Sequence, residues 1–326
     1  MSKVAVIVPV SPFEPEEIVV DCAKHLLSLN YDGFDFKIVF VVDRKDSNDL
    51  RGLKLRELGV DVLERRDTRG KRAGAINDAL DYLRKFDPDY IAIFDVDSRP
   101  ERDFIVKCVE ALKEDRNAYI ASSPRFISNP TNLVSETVEV EYRLINFLLK
   151  RSGFKQFNGL IGVLRADLLM KHRLNEDAIT EDADFATRMH CMGYKAVFVE
   201  STKVYEQAPI SWRDLISQRK RWYYGGLQLW RYMNCVFSSK NLSFKISWLS
   251  ALTLTYCIAI LLPLLSLAPL LLLIEFRSFR KVLVTFGLLV HTILLQYSAL
   301  CAIVKFVRGR GVEWSPMKRD LRQNRC

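Results

Sequence analysis

Short apolar runs and amphipathic stretches take turns along the first 200 residues. Val4–Val10, Phe36–Val42, Val60–Leu63, Tyr90–Asp95 and Tyr119–Ser122 have strand length, and so does Tyr194–Glu200 further on. Helical periodicity fills the intervals near 15–29, 48–58, 71–86, 101–114 and 131–150. Strand-helix alternation of this kind predicts a mostly parallel α/β sheet with helices on both faces. Ligands of such sheets bind beyond the C-terminal ends of the strands, so the residues just after each apolar run carry the most information. The pattern changes near residue 212, where an Arg- and Trp-rich helix is predicted over 212–232. Two charge-free runs follow, Ile246–Ile274 and Val282–Val304.

Those runs hold 29 and 23 residues, each beyond the ~20 a helix needs to cross a bilayer. They predict a transmembrane hairpin, with Pro263 and Pro269 marking a kink or re-entrant break in the first run. His291 and Gln296 are polar positions in the second run, expected to face protein rather than lipid. The resulting division is 1–210 catalytic, 211–245 interface helix and linker, 246–304 membrane, and 305–326 basic tail.

Charge supports that division. The net charge is +9, and the tail contributes Lys305, Arg308, Arg310, Lys318, Arg319, Arg322 and Arg325 against Glu313 and Asp320. A basic tail beside a span suggests an anionic cytoplasmic leaflet. Two spans return the chain to its starting side, so a multi-pass cell-membrane protein with its catalytic part in the cytoplasm is expected. Arg277, Arg280 and Lys281 in the short connection oppose the rule, but the longer tail outweighs them. Trp314 alone among the tail cations does not make a nucleic-acid motif, so nucleic acid is not expected as a partner. Met1-Ser2-Lys3-Val4 leads into a strand rather than a secretion signal. Seven scattered cysteines form no CxxC and no His-paired cluster, which predicts reduced thiols and no zinc site.

Chemistry collects at the strand ends. Asp43 follows Val39–Val42, and Asp95-Val96-Asp97-Ser98 follows Ile91–Phe94. Residues two apart on a strand share a face, so Asp95 and Asp97 can converge on one cation. Neither a GxGxxG fingerprint nor a GxxxxGK[ST] loop is present, which argues against nicotinamide and P-loop chemistry. Phe157–Arg165 reads as a loop entering a strand. Thr180-Glu181-Asp182 opens a helix with Thr180 as N-cap and acids in the first turn. Gln218, Arg221 and Trp222 share one helix face by their i, i+3 and i+4 spacing.

Taken in order, Asp43, Gly70-Lys71-Arg72-Ala73-Gly74-Ala75-Ile76-Asn77, Asp95-Val96-Asp97, Thr180-Glu181-Asp182 and Gln218-Arg219-Lys220-Arg221-Trp222 resemble glycosyltransferase family 2. The last run matches the QxxRW pattern of its membrane-bound branch, which includes cellulose, chitin and hyaluronan synthases and ceramide glucosyltransferase. The resemblance covers roughly residues 1–230. It implies a GT-A-type, Rossmann-like, mostly parallel sheet, followed by an interfacial helix and a two-helix transmembrane hairpin. It also implies an inverting, metal-dependent transfer from a nucleotide-diphosphate sugar, with a lean to UDP-sugars.

The roles below follow from the resemblance. Asp97 binds Mg²⁺ or Mn²⁺, and Asp95 contacts the metal or the nucleotide. Asp43, with Asp46 as rival, contacts nucleobase or ribose. Lys71 sits beside the diphosphate, with Arg72 taken as a substitution in that run. Asp182 is the general base and Glu181 its support. Gln218 and Arg221 bind the diphosphate, and Trp222 stacks under the acceptor, while Tyr223 and Trp230 rest in headgroups. The family's Pro-x-Tyr-Asn-Glu appears here as Pro9-Val10-Ser11-Pro12-Phe13-Glu14, which leaves its usual contacts open. The acceptor is expected to be lipid-linked, with membrane lipids as further partners. Two alternatives stand beside that reading: a processive polysaccharide synthase, which would need a homo-oligomer to enclose a channel, and a catalytically silent membrane scaffold.

Overall fold

The computed structural model describes residues 1–155, 159–312 and 318–320; Phe157, Asn158, Glu313, Trp314, Arg322, Arg325 and Cys326 lie outside the described residues. The strands are β1 (Ser2–Val10), β2 (Phe34–Asp43), β3 (Asp61–Arg65), β4 (Tyr90–Ile93), β5 (Arg99–Pro100), β6 (Ala118–Ser122), β7 (Arg125–Ile127), β8 (Gly162–Arg165), β9 (Lys195–Phe198) and β10 (Val204–Glu206). Helices α1 (Glu16–Leu27), α2 (Arg51–Glu57), α3 (Lys71–Leu83), α4 (Phe104–Glu114), α5 (Leu133–Arg151), α6 (Ala166–His172) and α7 (Glu181–Cys191) are interleaved with them. All six strands and five helical stretches expected between residues 4 and 200 are present, with ends within a few residues.

The main sheet runs β3-β2-β1-β4-β8-β6-β9. It is parallel from β3 to β4, while β8 is antiparallel to both of its neighbours. A small second sheet, β5-β10-β7, lies beyond its edge. Both faces of the large sheet are dry: Ile7, Val39, Val41 and Ile93 pack to one side, and Val6, Val8, Phe40 and Phe94 to the other. Burial on both faces explains why these strands read as continuous apolar runs instead of alternating. The two-residue β5 and three-residue β7 and β10 carry no such run, and the sequence pattern missed them.

The C-terminal part comprises α8 (Trp212–Gln228), a 3₁₀ turn (Leu229–Tyr232), α9 (Met233–Ser238), α10 (Leu242–Thr253), a 3₁₀ stretch (Leu254–Leu267), α11 (Ala268–Phe276), α12 (Phe279–Val282) and α13 (Val284–Val307). Two stretches, Leu242–Phe276 and Phe279–Val307, are long and apolar enough to cross a membrane by length and composition. The first is broken as Pro263 suggested: Cys257 has non-helical φ −118° and ψ 33°. Gln296 repairs the break, accepting from Ala259 N at 3.2 Å and donating to Tyr256 O at 3.0 Å. His291 likewise faces protein, 3.7 Å from Glu141.

Two expectations are corrected. Cys191 and Cys235 are joined as a disulfide with Cα atoms 5.9 Å apart, linking α7 to α9. A separation of 44 residues leaves no local spacing signal for that pair. Tyr223 and Trp230 do not rest in headgroups. Tyr223 Oη donates to Thr255 O at 3.0 Å, and Trp230 packs edge-on to the buried Trp248 at 5.4 Å. The apolar hairpin itself covers that side of α8.

Candidate functional site

The end of β4 and the start of α7 supply two acid pairs, and one arginine stands between them. Arg72 Nε donates to Asp95 Oδ1 at 2.9 Å, and its NH1 donates to Glu181 Oε1 at 2.8 Å. Arg72 NH2 also reaches Gly159 O at 3.3 Å, fixing the loop ahead of β8 over the site. Burial would ease the proton off Arg72, but Asp95 and Glu181 outweigh it and hold the guanidinium firmly charged.

Asp95 and Asp182 are tuned in opposite directions. Burial works to raise Asp95, yet the Arg72 guanidinium, aided by Arg319 and Arg125, holds its carboxyl below the usual carboxylate range. Asp182 is pushed up from 3.8 to about 6, first by burial and then by the neighbouring Glu181 charge, against Arg72 and Arg221. Thr180 takes the N-cap position of α7 without a side-chain cap hydrogen bond. Instead, α8 presses on it: a Cβ on Gly225 would stand 2.3 Å from Thr180 Oγ1. Gly225 is four residues after Arg221, so this close approach brings the Arg221 face of α8 against the α7 start. Arg221 makes no hydrogen bond or ion pair among the described residues. Burial lowers its proton affinity while Glu181, Asp182 and Asp95 oppose that shift. Gln218 and Trp222 lie half-buried on the same helix. The Arg219 guanidinium covers the Trp222 ring at 4.1 Å and reaches Glu141 of α5.

Asp97 is engaged by residues the motif reading did not include. Its Oδ2 accepts from Gln207 N at 3.2 Å and from Arg319 NH1 at 2.7 Å. Arg319 also pairs with Glu14 through Nε at 2.9 Å and NH2 at 2.7 Å. The segment 318–320 is held down further by Asp320, whose N and O exchange hydrogen bonds with the Gln207 side chain. Asp95 Oδ2 and Asp97 Oδ1 have no hydrogen bond among the described residues, so each carboxylate keeps one oxygen for a cation. No group of three or more metal-ligating side chains occurs among the described residues. Two carboxylates completed by phosphate oxygens are the donor set that suits Mg²⁺ or Mn²⁺. On that test the residues fit the implied metal.

Asp43 lies apart, 5% exposed at the end of β2. Arg65 Nε stands 2.8 Å from Asp43 Oδ1, but off the hydrogen-bond line, so both atoms lack a hydrogen bond. Burial, more than the opposing Arg65, sets its carboxyl at about 6. Asp46 is spent on a local turn, accepting from Asn48 N at 2.8 Å.

Lys71 and Arg72, neighbours at the start of α3, are placed differently. The Lys71 side chain is exposed and makes no hydrogen bond or ion pair among the described residues. The run Gly-Lys-Ala-Gly-Ala-Leu-Asn of the family it resembles has seven residues and this chain's Gly70–Asn77 has eight. Counted back from Asn77, the cation position falls on Arg72, the residue that meets Asp95 and Glu181. Arg125 and Glu206 were also missed. They pair at 2.9 Å beside the site, with Tyr142 Oη hydrogen-bonded to Glu206.

The profile of glycosyl transferase family 2 matches residues 6–168, and that of glycosyl transferase family group 2 matches 90–303. Glucomannan 4-beta-mannosyltransferase 7 of Arabidopsis thaliana is 30% identical over 200 residues, 58% of this chain and 36% of that protein. A probable glucomannan 4-beta-mannosyltransferase 7 of Oryza sativa subsp. japonica is 28% identical, over 53% of this chain and 31% of that protein. The chain thus spans about a third of the length of these curated relatives. Among solved structures, the Pyrobaculum calidifontis mannosyltransferase PcManGT in complex with GDP-Man and Mn²⁺ has a TM-score of 0.66 at 19% identity, covering 94% of this chain and 88% of that one. Residues 1–349 of S. aureus TarS in complex with UDP give 0.54 at 12% identity, covering 97% and 94%. The structural likenesses establish a GT-A-like fold; the two profile matches, the second spanning both acid pairs and α8, establish that the chain belongs to glycosyltransferase family 2.

Proposed function

We propose that the protein transfers a sugar from a nucleotide-diphosphate sugar to an acceptor hydroxyl, with inversion at the anomeric carbon. The observation that carries this reading is the split between the acid pairs: Asp95 held ionised by Arg72, and Asp182 raised to about 6. In it, Asp95 and Asp97 hold Mg²⁺ or Mn²⁺, which when bound supplies positive charge to the departing diphosphate. Arg221 binds the same diphosphate, because it is a half-buried cation with no protein anion in direct contact among the described residues. Arg72 fixes Asp95 and Glu181 and keeps their negative charges from repelling each other. Asp43 accepts from the nucleoside, which would satisfy its unpaired Oδ1.

Asp182 takes the proton of the attacking hydroxyl. A carboxylate near 6 is a stronger base than an ordinary aspartate and is still mostly ionised at pH 7. Direct attack by the acceptor is a single displacement, hence inversion. Trp222 offers its flat face to the acceptor sugar once Arg219 yields part of it. The acceptor is lipid-linked and the enzyme acts at the cytoplasmic membrane face, a reading supported by the two apolar helices beside α8. Because the neighbour PcManGT was solved with GDP-Man, GDP-mannose joins the UDP-sugars as a donor to test.

The test is release of nucleotide diphosphate from GDP-mannose, UDP-glucose and UDP-N-acetylglucosamine by the full chain with Mn²⁺ or Mg²⁺. One donor should be turned over, in a reaction that disappears in Asp182→Asn. Turnover of none, with donor binding absent as well, would leave a scaffold with this fold.

A further inference from the structure

Three helices meet at the guanidinium of Arg219, which is only 3% exposed. Arg219 belongs to α8. Its NH2 donates to Glu141 Oε2 of α5, and His291 Nε2 of α13 stands 3.7 Å from the same oxygen. Helix packing accounts for the meeting. Gly287 has no room for a Cβ against Thr137 Oγ1, so α13 and α5 pack closely there. One turn further along each helix, four residues on, His291 and Glu141 come face to face.

The Arg219 fork is only partly used. A guanidinium edge can bind a carboxylate through two parallel hydrogen bonds. Here NH2 alone does so, and Arg219 Nε and NH1 are buried without a hydrogen-bond partner among the described residues. The guanidinium instead covers the Trp222 ring, 4.1 Å from its centre, where the ring face attracts a cation. Arg219 is thus divided between a carboxylate and an indole three residues away on its own helix. Buried donors are almost always satisfied. The two idle ones indicate a second seat for the guanidinium, turned off the ring and paired with both oxygens of Glu141.

We infer that Glu141 is a positioning residue for the acceptor platform: through Arg219 it sets whether the Trp222 face is covered or open. A sugar ring arriving on the indole displaces the guanidinium, which closes its fork on Glu141. The charge is answered there, so the ligand at Trp222 is a neutral sugar that needs no phosphate or carboxylate at this point. His291 stands against Glu141 from α13 and keeps the seat in place. An ion pair that only tied α5 to α8 would be as well served by a fully paired fork, with the indole uncovered.

The inference rests on the reading of Trp222 as the acceptor platform, and the experiment separates the two. The full chain in detergent micelles carries fluorotryptophan, and the fluorine resonance of Trp222 is identified by its loss in Trp222→Phe. Glu141→Gln should move that resonance, because the guanidinium then has only the ring. Glu141→Asp keeps the charge on a shorter arm and serves where Glu141→Gln fails to fold; it should move the resonance in the same direction by less. With Arg219→Met already in place, Glu141→Gln should move it no further. Affinity for the nucleotide that the parent binds with Mn²⁺, GDP or UDP, should stay within about twofold throughout. An unmoved resonance in both Glu141 variants, or the same shift with and without Arg219, overturns the inference. So does a fall in nucleotide affinity in step with the shift, which would mean that the whole site had been disturbed. Nucleotide release at the parent rate in Trp222→Ala would instead take Trp222 out of the acceptor site, and the positioning role would fall with it; the donor-turnover result stands either way.

Discussion

Asp95-Val96-Asp97 and Glu181-Asp182 are both acid pairs, bridged by Arg72, yet they are built to opposite ends. The first follows a strand and is surrounded by cations: Arg72 on Asp95, Arg319 on Asp97. The second opens a helix, and its members crowd each other. Arg72 touches Glu181 but leaves Asp182 without a direct guanidinium contact. Asp95 therefore stays ionised and Asp182 holds a proton more readily. Identical side chains acquire different chemistry from the number of cations each can reach.

The largest test of this contrast is Asp182→Asn. A transfer rate lower by about 10²–10⁴ is expected, with donor affinity kept, measured by single-turnover kinetics and nucleotide titration. If donor affinity collapsed while the single-turnover rate held, Asp182 would belong with the binding pair. The same variant has a stability signature. The carboxyl is raised in the folded chain, so its contribution is complete below 3.8 and is lost as pH rises through about 6. Asparagine stays neutral throughout. The variant should melt above the parent at pH 7 and level with it at pH 3.5.

Asp97→Asn acts on the other pair. It should weaken Mn²⁺ binding about tenfold or more, read by electron paramagnetic resonance titration, and leave the pH profile of residual activity in place. Unchanged metal affinity would remove Asp97 from the cation site. Smaller still, Arg72→Met takes away the cation that lowers Asp182. The rate of the parent should rise with pH through about 6 and then level off. In Arg72→Met that acid limb should move upward by roughly one pH unit. A downward move would mean that Arg72 does not reach the second pair. Lys71→Ala is the smallest change: donor affinity within about twofold of the parent, as expected of an exposed side chain without partners.

The contrast also shows what can be read from a linear chain. Both acid pairs were legible, because a strand end and a helix start each leave a local pattern. The distinction between them was half legible: helix position suggested a base at Asp182, but nothing local announced that Arg72 would serve one pair and border the other. One extra residue in Gly70–Asn77 left two cations, Lys71 and Arg72, for one position of the motif. Arg319 and Glu14 meet across 305 positions, and Arg125 and Glu206 across 81. Contacts of that separation have no periodicity to betray them. The apolar runs were plain, yet hydropathy reports solubility in lipid and not direction through it.

The Glu14–Arg319–Asp97 bridge has a consequence for the order in which the protein is made. Ribosomes build the chain from residue 1, so Glu14 and Asp97 exist long before Arg319. Between them come the whole of α8 and both apolar helices. A nascent chain can therefore fold its sheet early, but Arg319 reaches Asp97 only after both apolar helices have been synthesised. Completion of the site is in this way tied to the making of the hairpin.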